Sequence, residues 1–317
     1  MKKDFKEYVQ KYWLLFFLAA LFLFTAFFKI SLKDIWGTVY SLKLWQLLLL
    51  LSVYFLISIS IIASRKYILF ALSSTSPKLK NLVYIHFSTM AAHYSTPAKL
   101  GFPLAVYLLK KFENISYATG SAMIVIELVV STGICGIISF TGAFFYFTDR
   151  INTIVLSFFC FSLLFLLTFF GIKLILTKNN ANSRIFRFLK SLQGAFSQVT
   201  FYHLLIYTFI MIIAQLISSM TLFFLSNSFH EGISFWQALI ANSTAFFFGA
   251  ISMIPMGLGI REASILFYLR HIGITNEIGI SIVTIQRLLS TGLTFVLGVI
   301  FSSVLGLKNI SQDSNKA

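Results

Sequence analysis

The sequence has very little charge for its length. Only 11% of its 317 residues are Asp, Glu, Lys or Arg, whereas 58% are hydrophobic and 37 are Phe. A soluble domain could not cover so much apolar surface with so few charged side chains. This shortage excludes a soluble globular protein and predicts a chain embedded in a membrane.

Cysteine, metal ligands and catalytic motifs are also scarce. The two cysteines, Cys135 and Cys160, lie in separate apolar runs, which indicates core positions rather than a disulfide. His86 and His93 could share a helix face, but no third metal ligand accompanies them. No Gly-x-Ser-x-Gly, His-Glu-x-x-His or Walker motif is present. We therefore predict no metal, no cofactor and no enzymatic activity; an intramembrane enzyme is the least favoured interpretation.

The net charge of +15 does not indicate a nucleic-acid partner, because the basic residues lie in short segments between apolar runs. Four lysines stand in residues 1–12, and the stretches 64–81 and 172–193 are basic without any acidic residue. The stretch 64–81 is interpreted as a loop that includes Arg65. The positive-inside rule then places the N-terminus and both stretches in the cytoplasm, and the C-terminal tail with them. The apolar start has no small-residue cleavage site, so it predicts a first membrane helix rather than a signal peptide.

Long apolar runs predict an all-α, polytopic membrane protein. Each run is continuously apolar and long enough to cross the hydrocarbon as a helix. About six full crossings are expected: 12–30, 42–63, 117–147, 153–177, 201–226 and 278–306. The stretches 82–109 and 238–270 are interrupted by Pro and Gly. The loop charges require each of these to enter and leave on one side, so we predict two re-entrant hairpins; the alternative is that each is a tight pair of helices.

The order of these segments predicts an inverted repeat within a single membrane domain that spans residues 1–317. Half A, about 42–147, and half B, about 201–306, each read as long helix, broken segment, long helix. The two halves run in opposite directions. Broken segments at matching positions of such a repeat are a sequence indication of a transport site.

Two charges lie deep in the long helices that end the halves. Glu127 and Arg287 have opposite sign and similar depth, and an unpaired charge there costs at least ~3 kcal/mol. We predict that they lie close enough to interact. The alternative is that Arg287 extends to the interface, or that Glu127 is protonated in a packed core.

The second broken segment contains IPMGLGIRE, in which Gly257 and Gly259 precede Arg261 and Glu262. Glycine lets the backbone turn, and the helix that begins there attracts anions at its N-terminus. An arginine adds a planar fork that suits phosphate. The pattern predicts an anion site; the alternative is an ordinary interfacial loop.

The first broken segment has a similar layout, with Pro97, Lys99 and Gly101 before an apolar helix. Each half thus places one cation beside a glycine-opened break. We expect Lys99, Glu127, Arg261 and Arg287 to surround one wet pocket that binds the phosphate of an anionic lipid head group.

With these residues in view, the chain resembles the lysylphosphatidylglycerol synthase transmembrane family, a flippase-like domain. The resemblance covers essentially the whole chain and is carried by PAKLG at 97–101, Glu127, the pattern P-x-G-x-G-x-R-E at 255–262, and QRL around Arg287. It departs from the family at Leu128, where an arginine is frequent, and near Tyr107, where the family has another arginine. No soluble aminoacyltransferase domain is expected after Leu307.

The resemblance implies a lipid translocator in the cytoplasmic membrane of a prokaryote. Its cargo would be an anionic phospholipid or a lipid-linked head group. The alternative is a non-catalytic membrane subunit that positions a separate glycosyltransferase or aminoacyltransferase. A partner transferase and a homo-oligomer both stay open.

Overall fold

The computed structural model describes residues 42–95, 100–146, 184–252, 254 and 257–314, and these residues are helical without any β-strand. A π-helical segment, Leu288–Gly292, joins the last two helices. The α-helices are α1 (Leu44–Ser73), α2 (Leu79–Ser95), α3 (Gly101–Glu113), α4 (Tyr117–Tyr146), α5 (Arg184–Phe196), α6 (Phe201–Ser228), α7 (Phe235–Ile251), α8 (Ile260–His271), α9 (Asn276–Arg287) and α10 (Leu293–Ser314).

Four helical stretches of the described residues are long and apolar enough to cross a membrane. They are α1, α4, α6 and the continuous stretch Asn276–Gly306, which joins α9 to α10. These match the predicted runs 42–63, 117–147, 201–226 and 278–306. The predicted runs 12–30 and 153–177 lie outside the described residues. The protein is therefore a multi-pass, all-helical membrane protein, as predicted, and the number of crossings stays a prediction.

One boundary predicted from the sequence is wrong. The pair Arg65-Lys66 was expected to begin a cytoplasmic loop, but α1 continues to Ser73 and carries Arg65 inside it. Arg65 is only 5% exposed, because its helix goes on through the apolar residues that follow it. The basic stretch outside the helix therefore begins after Ser73.

Each Pro/Gly-broken stretch forms two helices, as predicted. In the first half α2 ends at Ser95 and α3 begins at Gly101. In the second half α7 ends at Ile251 and α8 begins at Ile260. Gly257 and Gly259 have φ angles of +62° and +80°, a left-handed backbone that glycine adopts without strain.

The two halves of the chain pack across one another. Helix α1 lies along α6, α2 lies along α10, and α7 lies along α4. The first helix of each broken segment therefore packs against the long helix that ends the other half. Glycines allow the close approach: a Cβ atom at Gly298 of α10 would lie 2.2 Å from the Cβ of Ala91 in α2. Small residues serve the same purpose at many membrane helix interfaces.

Apolar side chains fill two clusters. The first joins α1, α4 and α6 through residues such as Leu69, Met123 and Tyr207. The second joins α6, α7, α8 and α9 through residues such as Leu222 and Ile282. Tyr54 links α1 to α10, because its hydroxyl lies 2.7 Å from Oγ1 of Thr294.

Candidate functional site

A cavity lined by charged, polar and apolar side chains lies among α1, α6, α7, α8, α9 and the π-helical segment. Its volume is about 60 Å³, room for a few water molecules. Arg261, Glu262 and Arg287 supply its charges, and Asn242 and Gln286 supply amides. Two cations and one anion give the lining a net charge of +1, so the cavity favours an anion.

Glu262 and Arg287 form an ion pair in the wall of this cavity. Arg287 donates from Nε to Oε1 of Glu262, and the Glu262 side chain is only 1% exposed. The second carboxylate oxygen, Oε2, is buried and has no hydrogen-bond partner among the described residues. The pair neutralises one of the two arginines of the cavity and fixes the first turn of α8 to the end of α9.

Arg261 differs from Arg65 and Arg287, which both have a carboxylate partner. Within the part of the chain that the structure describes, its guanidinium makes no hydrogen bond and no ion pair. Its contact is with the ring of Phe246, whose centroid lies 5.7 Å from Cζ. Arg261 is partly buried, and a cation removed from water without a counterion is costly, so such a residue normally faces water or a ligand. Arg261 is therefore the cation of this cavity that is available to an anion.

Two glycines hold the aliphatic part of Arg261. A Cβ atom at Gly249 of α7 would lie 2.4 Å from Cγ of Arg261, and one at Gly257 would lie 2.9 Å from the same atom. The two glycines also contact each other, since the Gly257 Cβ would lie 2.9 Å from the Gly249 Cα. Their backbones thus form a slot that directs the Arg261 side chain toward the cavity. Gly257 was predicted as a site residue from its break motif, whereas Gly249 stands inside an apolar helix with no local sign of its role.

Amide side chains join three helices at the cavity. Gln286 donates from Nε2 to Oδ1 of Asn242 across 3.3 Å. Asn242 in turn donates from Nδ2 to the hydroxyls of Ser218 and Ser219, at 3.1 and 3.3 Å. The chain of hydrogen bonds fixes α9 to α7 and α7 to α6, which keeps the cavity walls in register.

A second polar cluster lies in the first half. Arg65 donates from Nε to Oε2 of Glu127 and from Nη2 to Oε1, both at 2.8 Å. Its Nη1 lies 3.1 Å from Nδ1 of His86. The cluster joins α1, α2 and α4, and all three side-chain partners are largely buried. Each of the three nitrogens of the Arg65 guanidinium thus has a partner, whereas the Arg261 guanidinium has no hydrogen bond among the described residues.

The predicted site residues fall into two places rather than one. Arg261, Glu262 and Arg287 line the cavity, whereas Glu127 is not among the lining residues. The predicted pairing of Glu127 with Arg287 is wrong: Glu127 pairs with Arg65, and Arg287 pairs with Glu262. The sequence identified the two deep charges but not their partners, because partner choice depends on how each helix is rotated.

The remaining predicted residues lie at the breaks. Gly259 caps the N-terminus of α8. Gly101 begins α3 and packs directly on α2, since a Cβ atom there would lie 2.3 Å from the carbonyl oxygen of Thr89. Pro97 and Lys99 lie outside the described residues.

Comparison with known proteins gives one kind of match. Neither curated proteins nor solved structures match the chain. The family described as "Lysylphosphatidylglycerol synthase TM region" matches residues 12–298, which include both broken segments and both polar clusters. The chain therefore belongs to the lysylphosphatidylglycerol synthase TM region family.

Proposed function

We propose that this protein translocates a lipid with an anionic head group across the membrane, and that Arg261 binds the head-group phosphate. The observation that supports this most directly is a guanidinium that lines a cavity and has no ion-pair partner among the described residues. Guanidinium binds phosphate through two parallel N–H donors, which gives both affinity and orientation. The family is defined by a lipid-related membrane region, which agrees with a lipid as cargo.

The net charge of the cavity suits a ligand that must be released after it has been transported. Glu262 neutralises Arg287, so the lining offers one net positive charge rather than two. A single guanidinium holds a phosphate less tightly than two would. Moderate affinity favours transport, because a carrier that binds its cargo very tightly releases it slowly.

The packing between the halves supports an alternating movement. In this comparison α1 corresponds to α6, α2 corresponds to α7, and α4 corresponds to the continuous stretch of α9 and α10. The α2–α10 contact then takes the place of the α7–α4 contact when the two halves are exchanged. That exchange is expected of the two halves of an inverted repeat, 42–147 and 201–306, whose broken segments dip into the membrane from opposite sides. In this proposal the N- and C-termini are cytoplasmic, the protein is not an enzyme, and its cargo moves downhill or with an ion.

Head-group translocation in vesicles tests the proposal. The full chain is reconstituted into phosphatidylglycerol vesicles that contain a trace of fluorescent phosphatidylglycerol, and dithionite quenching reports the label in the outer leaflet. A charge-assisted hydrogen bond is worth about 1.5–3 kcal/mol, so Arg261→Gln should lower the rate about ten- to a hundredfold at subsaturating lipid.

Arg270→Gln is the matched control, because Arg270 is an exposed arginine at the other end of the same helix. Equal rates for wild type and Arg261→Gln would contradict the assignment of Arg261. No translocation by wild type, together with co-purification of a glycosyltransferase or aminoacyltransferase, would instead favour a subunit that positions such an enzyme.

A further inference from the structure

The cluster of Arg65, Glu127 and His86 fixes the protonation state of the histidine. A guanidinium has only donors, so the Nδ1 atom of His86 that faces Arg65 Nη1 at 3.1 Å must accept. An accepting Nδ1 carries no proton, and His86 is therefore neutral with its proton on Nε2. Arg65 and Glu127 bear opposite charges, so the whole cluster is electrically neutral in this arrangement.

His86 is the member of the cluster that lies on a broken segment. It stands on α2, whereas Arg65 is on α1 and Glu127 is on α4. Among the described residues, Arg65 faces His86 directly, and Glu127 and the buried Tyr207 of α6 lie close to Arg65.

The other helices packed on α2 bring no described charge to His86. Helix α10 presents Gly298 to Ala91 and the ring of Phe301 to Phe87. From α3, Glu113 bonds Asn81 near the start of α2. Arg65 is thus the direct link by which α2 is held to the ion pair of the first half.

We propose that His86 is a proton-binding site that couples proton movement to lipid translocation. A hydronium ion gives its proton to the lone pair of Nδ1 and leaves as water, and the hydrogen bond from Arg65 to that nitrogen is lost. Arg65 keeps its charge and both of its bonds to Glu127. The cluster changes from neutral to a charge of +1, and two cations then face each other at hydrogen-bond distance. The repulsion separates α2 from α1, so proton binding and a movement of the broken segment occur together.

The cavity is mechanically connected to this cluster. Helix α1 carries Arg65 and, eleven residues earlier, Tyr54, which lines the cavity; the two lie about 16 Å apart along the helix. Tyr54 also bonds Thr294 of α10, and α10 packs along α2. A displacement of α2 therefore reaches the cavity wall at Tyr54 by two routes, through α1 and through α10. This inference rests on the proposed function, since it names the energy source of the same transport.

Imposed pH gradients test the coupling in the vesicles described above. With one proton moved per lipid, a gradient of one pH unit supports up to about tenfold accumulation of the fluorescent phosphatidylglycerol in one leaflet. We expect wild type to show this accumulation and His86→Gln to give equal leaflets, since glutamine accepts from Arg65 but does not titrate. His230→Asn is the control, because His230 has a φ of +62°, which asparagine tolerates. The inference would be overturned if wild type moved the labelled lipid but left equal amounts in the two leaflets. It would also be overturned if His86→Gln still accumulated the labelled lipid in one leaflet.

A second measurement does not depend on transport. In ¹⁵N-histidine NMR of the full chain in detergent, the signal that disappears in His86→Gln should show the Nε2–H tautomer at neutral pH. It should convert to imidazolium on acidification. If wild type translocates no lipid, the proposed function fails, and this titration alone decides whether His86 binds a proton. A signal that stays neutral until the protein unfolds, or that shows the Nδ1–H tautomer, would refute the site.

Discussion

Arg65 and Glu127 meet inside the protein through two parallel hydrogen bonds of 2.8 Å, which join the first long helix to α4. Arg261, in the other half, has no carboxylate partner among the described residues and faces a cavity. The two arginines therefore differ in role: Arg65 is bound within the protein, whereas Arg261 is available to a ligand.

Breaking the Arg65–Glu127 pair should destabilise the protein strongly. Arg65→Met or Glu127→Leu alone leaves an uncompensated buried charge, which costs about 3–5 kcal/mol. The double variant leaves no charge and should recover most of that loss. Thermal unfolding of the detergent-solubilised chain measures both effects, with Lys66→Met as the control for a neighbouring cation. If the double variant were no more stable than the single variants, the unpaired charge would not be the cause of their lost stability.

Gly249→Ala should displace Arg261 from the cavity. The new methyl group would lie 2.4 Å from Cγ of Arg261, near the fixed end of the side chain, so the whole stem must move. We expect translocation to fall about as far as in Arg261→Gln, while the double variant Gly249→Ala/Arg261→Gln falls no further. Gly133→Ala is the control, because a Cβ atom there meets nothing within 4 Å. If the losses of translocation rate add in the double variant, Gly249 does not act through Arg261, and the slot is contradicted.

Glu262→Gln should make the cavity a stronger anion site. Removing its charge leaves Arg287 and Arg261 to give a net charge of +2, and one neighbouring charge is worth about 1–3 kcal/mol at the effective dielectric of a protein. Ligand binding stabilises the folded state in proportion to affinity. We therefore expect phosphatidylglycerol to raise the melting temperature more in Glu262→Gln than in wild type.

The control for this comparison is Glu277→Gln, an exposed carboxylate at the start of α9. A smaller lipid-induced shift in Glu262→Gln than in wild type would mean that Glu262 attracts the ligand instead of moderating its binding.

Gly298→Ala should loosen the packing between the halves. Its methyl group would lie 2.2 Å from the Cβ of Ala91 and 2.7 Å from the carbonyl oxygen of Phe87, so α2 and α10 must separate. Overpacking of this kind costs about 1–3 kcal/mol. Gly306→Ala, on the same helix but with no neighbour within 4 Å, should have little effect on thermal unfolding. Similar unfolding of the two variants would contradict a tight α2–α10 contact.

Composition predicts the membrane class because lipid imposes a strong requirement: a crossing needs a long apolar helix. The positions of both breaks were likewise visible, since Pro and Gly act locally on the backbone. The slot at Gly249 was not, because it depends on a contact between two helices that lie apart in the sequence. Arg65 was misplaced for a related reason: a basic pair normally marks the end of a span, and only the fold supplies the carboxylate that lets it lie inside.

The site was predictable in part. The residues Arg261, Glu262 and Arg287 stand out because charges are rare in this chain, and the structure places them around one cavity. Glu127 stands out equally, yet it belongs to a different cluster. The inverted repeat predicted from the sequence implies comparable depths for these charges but does not specify which face of each helix meets which neighbour.

The π-helical segment Leu288–Gly292 begins directly after Arg287. A π turn holds one more residue than an α turn, and such turns recur at functional sites. If the wide turn shifts by one residue along this helix, the residues that it passes rotate by roughly a quarter turn or more around the axis, while the backbone stays hydrogen-bonded. The helix can thus change which of its side chains point into the cavity without unwinding in the membrane.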